Sequence, residues 1–425
     1  MPPPPLPAIP AAALAPFGLL LLLIAVMPLT PPRVKHVWDR FYPAVSLGLA
    51  ALVAAYYLVV VPGGALALDH TLGDYASFIC LIGSLFVVAG GIHLRVKGEA
   101  TPAVNVAFLA VGAVIANLIG TTGASMVLVR PWIRMNKVRA SAYHVVFFIF
   151  LVSNVGGSLT PIGDPPLFLG YLQGIPFWWV ARHCWPMWAT GAGLLLAIYF
   201  TVDTVHARRA APAPPADEPA PAGWELAGAA NLFWLAVIVG AVFLPPFWRE
   251  GLMLAAAAIA FFTTPKAVHA ANEFSFHPVI EVAVLFAGIF ATMIPALAWL
   301  DRHPAALLGP GPAPGTYYWA TGGLSAVLDN APTYLAFLST LGAGTAGPPD
   351  AALLARGPAQ VLAISVGAVF FGAATYIGNG PNFMVKAIAE QRGLRTPAFV
   401  EFIWKFSLPF LLPVLAIVWW LFFRD

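Results

Sequence analysis

Charge is what this chain has least of. Only 9% of its 425 residues are charged, 21 basic and 18 acidic, against about 25% in an ordinary soluble domain. So few charges cannot coat a water-soluble particle of this length. A soluble enzyme, a disordered chain, a collagen and a coiled coil are all disfavoured at once. The basic residues are dispersed and the formal net charge is +3, so no concentrated basic surface is available for nucleic acid. The two cysteines, Cys80 and Cys184, lie in apolar segments. They make neither a disulfide framework nor a metal-ligand spacing. No G-K-[ST] follows a glycine-rich run, which removes the phosphate-loop reading, and no zinc, haem or nucleophile constellation is visible. What the chain has instead is apolar length. Hydrophobic residues make up 60% of it, in runs near the roughly 20 residues that span a bilayer as a helix. The expected fold class is an all-α polytopic membrane protein.

Residues 1–10, MPPPPLPAIP, are proline-rich and expected to be disordered. The apolar run after them lacks the basic stretch that precedes a cleaved signal core, so it is read as a retained first helix. Candidate spans are 11–29, 45–62, 75–93, 142–173, 178–201, 228–244, 251–264, 279–300, 358–390 and 398–423. Two of them, 142–173 and 358–390, are too long and carry glycine and proline at their middles, which predicts broken helices. Two further segments, 103–129 and 316–341, have polar centres, NLIGTTG at 117–123 and LDNAPT at 328–333. Each is either a full span or a re-entrant hairpin.

Charge separates these options, because cytoplasmic loops collect Lys and Arg. With the N-terminus outside and both segments re-entrant, only Arg182, Arg249, Arg302, Arg356 and Arg424 of the 21 basic residues fall outside. A full span at 103–129 would instead carry the four-charge loop RPWIRMNKVR across the membrane from Arg95 and Lys97. The hairpin reading is therefore adopted. It places both termini outside, on the face away from the cytoplasm. The Pro/Ala stretch HARRAAPAPPADEPAPAG at 206–223 then lies in a cytoplasmic linker over 203–226. That linker divides a first unit, 11–202, from a second, 227–425.

The two units repeat. GSLTPIGDPPLFL at 157–169 matches GAATYIGNGPNFM at 372–384 with a constant offset. Gly157, Thr160, Ile162, Gly163, Pro166 and Phe168 meet Gly372, Thr375, Ile377, Gly378, Pro381 and Phe383, and Asp164 meets Asn379. Asn117 and Asn330 each sit at a hairpin centre upstream and are paired on that ground. Five spans and one hairpin per unit make the second copy start on the opposite face. The repeats are thus inverted, a build found in secondary transporters with a midplane site between discontinuous helices.

The repeated motif T-x-I-G-[DN]-x-P is hard to hold in a continuous helix. Gly163 and Gly378 loosen the backbone, while Pro165, Pro166 and Pro381 remove donors. Such a break exposes carbonyl oxygens, tolerated in lipid only under cover of protein or a wet cavity. Carbonyls, the Thr160 and Thr375 hydroxyls and the Asp164 and Asn379 side chains together suit a hard cation. Half-helix N-termini suit an anion. A mid-membrane Asp costs about 3 kcal/mol on insertion scales and is a functional candidate by default; only Asp164 and Asp329 sit at the breaks or tips. Each also has a structural reading as a helix cap. Asn117 and Asn330 double as turn formers, and Asn154 as an interhelical hydrogen-bonding residue. Glu281 reads as interfacial, His144 as a packed histidine, and the tryptophans as interface anchors.

SNVGGSLTPIGDPPLFLGYLQGIPF, LSAVLDNAPTYLAFLSTL and FFGAATYIGNGPNFMV resemble the ion transporter superfamily. Within it they most resemble the branch of citrate transporters and NhaD-type sodium/proton antiporters. The resemblance runs from about residue 75 to the end. It implies an inner-membrane secondary carrier, two inverted repeats each with a hairpin and an unwound helix, a homodimer, and no cofactor beyond Na⁺ or H⁺ as transported ions. Carried over residue by residue, it marks Asn117 and Asn330 as hairpin-tip asparagines. It places Asn154, Thr160 and Asp164 in the first broken helix and Thr375 and Asn379 in the second. The full expected site is these residues with Thr121, Gly163, Asp329, Thr333 and Gly378; Asp164, Asn117 and Asn330 are the expected Na⁺ ligands. The second tip keeps the Asp-Asn pair of NhaD-type antiporters as Asp329-Asn330, whereas the first reads Ala116-Asn117. Neither tip carries the Ser-Asn-Thr of dicarboxylate carriers. The first expectation is a sodium/proton antiporter and not an enzyme. The alternative is a cation-coupled carrier of citrate or another carboxylate, with arsenite export and a channel further behind.

Overall fold

Away from water a backbone must satisfy its own polar groups, and the helix is the local way to do it. In a computed structural model of the chain, residues 9–96, 101–137, 139–209, 224–342, 354 and 357–424 are described. The first half holds α1 (Ala15–Val26), α2 (Pro32–Val59), α3 (Gly64–Gly90), α4 (Pro102–Met135), α5 (Ala142–Leu151), α6 (Pro165–Leu172) and α7 (Phe177–Arg209). The second holds α8 (Ala230–Ala241), α9 (Trp248–Thr263), α10 (Lys266–Ala271), α11 (His277–Arg302), α12 (Ala305–Leu308), α13 (Pro314–Ser325) and α14 (Asn330–Gly342). It continues with α15 (Pro358–Phe371), α16 (Gly380–Gln391) and α17 (Phe399–Phe422).

Among the described residues, seven helical stretches are, by length and composition, long and apolar enough to cross a membrane: Ala11–Leu29, Arg33–Val59, Gly64–Gly90, Pro102–Met135 (which is folded back on itself at Gly120), Phe177–Arg209, His277–Arg302 and Phe399–Phe422. Large apolar side chains stand on the outside, with Phe262 82% and Trp404 68% exposed. A surface of this kind belongs in lipid. The chain is a helical multi-pass membrane protein.

The helices overrun the hydropathy windows. α2 begins at Pro32 rather than 45, α3 at Gly64 rather than 75, and α7 continues to Arg209. A helix adds residues until a breaker stops it, whether or not they are apolar. Two boundaries are corrected in consequence. Residues 203–209 of the expected linker are helical, and 224–226 lie in a strand, β2 (Trp224–Ala227). The rest of that linker, 210–223, lies outside the described residues, as do residues 1–8 of the expected disordered N-terminus; Ile9 is buried against Val53 and Tyr57.

Asp203 shows why the end of α7 is not linker. Its carboxylate is fully buried and accepts from the Arg139 guanidinium at 2.6 Å, the Tyr143 hydroxyl at 2.8 Å and the Asn105 amide at 2.8 Å. His144 lies beside it, buried among Trp132, Tyr143 and Tyr199.

α4 is not a straight rod. Asn105 and Asn136 exchange amide hydrogen bonds of 2.8 and 3.0 Å, although a continuous helix would hold them about 46 Å apart. The chain reverses at Gly120, whose φ of 76° and ψ of 154° are non-helical. α4 is thus a hairpin of two arms. α13 and α14 form another, with the Tyr317 hydroxyl 3.3 Å from that of Thr340. Glycine is required at the first reversal, since φ is positive and a Cβ would stand 3.2 Å from the Ile162 carbonyl oxygen. Gly120→Ala is expected to cost about 1 kcal/mol, read as a lower melting temperature of the detergent-purified protein. An unchanged melting curve would contradict this account of the reversal.

The helices sort into two groups. α2, α3, α8, α9 and α11 pack on one another, and the remaining long elements pack around the two interrupted helices; α3 against α4 and α11 against α14 join the groups. A two-stranded antiparallel ribbon ties the halves, β1 (His93–Val96) pairing with β2 from His93↔Ala227 to Val96↔Trp224. The carbonyls of Gly90, Gly91 and Ile92 accept from the Asn272 and Asn231 amides.

Candidate functional site

The two interruptions face each other. The first separates α5 from α6, with a short 3-10 turn at Val155–Gly157; the second separates α15 from α16, with one at Gly372–Ala374. Their loosened carbonyls are covered by side chains. The Trp188 indole donates to Gly156 O at 2.9 Å, the Asn382 amide to Gly372 O and Thr375 O at 2.8 Å each, and the Ser407 hydroxyl to Ala374 O at 2.7 Å. This is how non-helical backbone is tolerated away from water.

Asp164 stands where four elements converge, and it is fully buried. Its Oδ1 accepts from the Thr121 hydroxyl at 2.7 Å and the Asn379 amide at 2.8 Å. Its Oδ2 accepts from the Asn330 amide at 2.6 Å. Thr121 follows the reversal of α4, Asn330 opens α14, and Asn379 belongs to the second interruption. Asp164 is the residue before α6, yet its side chain makes no bond to that helix's N–H groups. The capping reading therefore fails for Asp164. It fits Asp329, whose Oδ1 accepts from the Ala331 N–H at 3.0 Å.

The helix ends add to the field. α6, α14, α16 and the second arm of α4 all start at this point. Each N-terminus carries about half a positive charge, although its first N–H groups are engaged or missing: Thr121 N donates to Gly163 O, Asn330 N to Gly378 O and Ala331 N to Asp329 Oδ1, while Pro165, Pro166 and Pro381 have none. The centre is rich in donors, with one carboxylate among them. Space is scarce: the cavity touching Asp164, Thr121 and Gly163 has a volume of about 30 Å³, room for a water rather than a tricarboxylate. A larger cavity of about 120 Å³ lies between α3, α6, α11 and α14, lined by His70, Asp74 and Gln173 at its polar end and Leu169 and Leu335 at its apolar one.

The other expected residues divide by what they touch. Asn154 joins the two interruptions: its amide donates to Asn382 Oδ1 at 2.8 Å, and its Oδ1 accepts from Asn379 at 3.2 Å. Asn117 does not reach Asp164. Its amide donates to Gly156 O at 2.6 Å, and its Oδ1 accepts from the Leu159 N–H at 2.8 Å. Thr160 donates to Asn117 O and Thr375 to Ala326 O, both at 2.6 Å. Gly163 O accepts from Thr121 N at 2.8 Å and Gly378 O from Asn330 N at 3.2 Å. Thr333 bonds within its own helix, to Asp329 O at 2.9 Å.

Those paired bonds correct the register of the repeat. Thr160 and Thr375 are equivalent, so their acceptors, Asn117 and Ala326, are equivalent too. Gly163 and Gly378 in turn equate Thr121 with Asn330. The pairing of Asn117 with Asn330 by spacing is therefore wrong, and Gly120-Thr121 stands opposite Asp329-Asn330. Asn382 is the residue that sequence reasoning missed. It is fully buried, and its signal was a second asparagine in GNGPNF with no partner in GDPPLF. Among the described residues there is no group of three His, Cys, Asp or Glu able to hold a metal ion.

A membrane carrier is the class that this fold and site suggest, and comparison with known families bears on it directly. Residues 7–423 match the family described as "Putative citrate transport", and the chain belongs to that family. No curated protein matches the chain.

Proposed function

We propose that the protein is a secondary carrier of citrate or a closely related carboxylate, coupled to H⁺ or Na⁺. The observation that carries this is the convergence of the Thr121, Asn330 and Asn379 donors and four helix N-termini on one point. Such a centre attracts carboxylates. The family supports the same substrate. An anion can approach Asp164 only once its charge is offset, which is where a coupling cation enters. The inverted arrangement of the repeats, with α4 and α13–α14 as re-entrant hairpins, is part of the proposal. It is supported by the contact between Asp164 and Asn379, since two equivalent residues that touch lie on the axis relating their repeats.

Sodium/proton antiport is the second reading. It is favoured by the water-sized cavity at Asp164, which suits a small ion better than an organic anion. Purified protein in liposomes separates the two. We expect labelled citrate to accumulate under an inward H⁺ or Na⁺ gradient, well above protein-free liposomes. Absent citrate uptake, with Na⁺-dependent dequenching of a pH dye in everted vesicles, would replace carboxylate transport by antiport.

A further inference from the structure

We propose that Asp164 is a built-in stand-in for the substrate: its carboxylate fills the seat that a substrate carboxylate takes in the loaded carrier. The inference rests on the carboxylate-carrier reading above.

The geometry of the seat is the first ground. Both oxygens of Asp164 are engaged, Oδ1 by Thr121 and Asn379 and Oδ2 by Asn330, at 2.6 to 2.8 Å. These three donors come from the two hairpins and the opposite interruption, and none from α6 itself. They thus form a cradle assembled around a carboxylate, with helix N-termini behind it. The group in the cradle is tethered, and it clasps both hairpin tips.

The second ground is independent of the helix ends. Asn330 is fully buried, and its Oδ1 has no hydrogen-bond partner among the described residues. A buried acceptor left unpaired is costly, so a site that keeps one is incomplete. Asp164 satisfies the donors of the cradle and cannot satisfy this acceptor. A ligand that carries a hydroxyl beside a carboxylate supplies both, and citrate is such a molecule. A cavity of about 30 Å³ adjoins Asp164, bounded by Leu85, Ile119 and Phe168.

A stand-in competes with the true ligand, so its removal strengthens binding instead of abolishing it. The test is citrate binding to detergent-purified wild-type, Asp164→Asn and Asp164→Ala proteins, by calorimetry at one pH. We expect affinity to rise in that order, with Asp164→Ala tighter than wild type by about tenfold or more. Acetate should stabilise Asp164→Ala against heat and weaken its binding of citrate, and should do neither in the wild type. Asp164→Asn keeps the shape and an acceptor, so it carries the comparison if the alanine variant does not fold. Citrate bound by the wild type but weakly or not at all by either variant would overturn the stand-in and leave the carrier reading intact. No citrate binding by the wild type would remove the reading on which the stand-in rests.

Discussion

Replacing Gly163 by alanine is expected to abolish transport and to destabilise the protein by about 3 kcal/mol. Gly163 and Gly157 are packed backbone to backbone within the first interruption. A Cβ on Gly163 would be driven into the Gly157 carbonyl oxygen and would stand 3.1 Å from Asn117 Oδ1. A carbonyl has no rotamer to retreat into, so the loop itself must move. That movement reaches Asp164, because Gly163 O holds the Thr121 N–H, and the Thr121 hydroxyl holds Asp164. Gly193→Ala on α7 is the control, since nothing lies within 4 Å of a Cβ there. Uptake and thermal denaturation of both variants would be compared. Wild-type behaviour of Gly163→Ala would mean that the two glycines do not fix the site.

The second large effect is expected far from Asp164. Asp203→Ala should cost about 3–5 kcal/mol, the usual result of removing one member of a buried, hydrogen-bonded ion pair. The change removes the counter-charge of Arg139 and the acceptor of Tyr143 and Asn105. Asn105 also bonds Asn136 across the open end of the α4 hairpin. The damage should therefore loosen both arms of the hairpin. Arg139→Ala in the same background should add little, because the interaction is already gone. A melting temperature within a degree or two of wild type would show that Asp203 is dispensable.

The fold class was legible because lipid imposes it: long apolar runs with few charges leave a helical bundle as the economical solution. The breaks were legible for a local reason. Glycine and proline inside 142–173 and 358–390 stand where α5 parts from α6 and α15 from α16. Asp164, Thr121, Asn330 and Asn379 were all named from sequence, and they meet. Their register was not legible. Asn117 and Asn330 lie at similar distances from their motifs, but backbone bonds from Thr121 and Asn330, not spacing, align the two tips. Asp203 was missed for another reason: hydropathy places a charge by its neighbours in sequence, whereas Asp203 is buried by partners on α4 and α5. The capping role of Asp329 was visible in the DNAP order itself, where a short side chain can turn back to the next free N–H groups.

The β1–β2 ribbon has a consequence for how the polypeptide is held together. Four residue pairs, reinforced by the Asn231 and Asn272 amides on the carbonyls that end α3, fasten the two halves at a point separate from the chain between Arg209 and Trp224. Peptide continuity there is redundant with a non-covalent clasp. For the same reason α3 and α8, which also pack side by side, are held by more than their apolar faces.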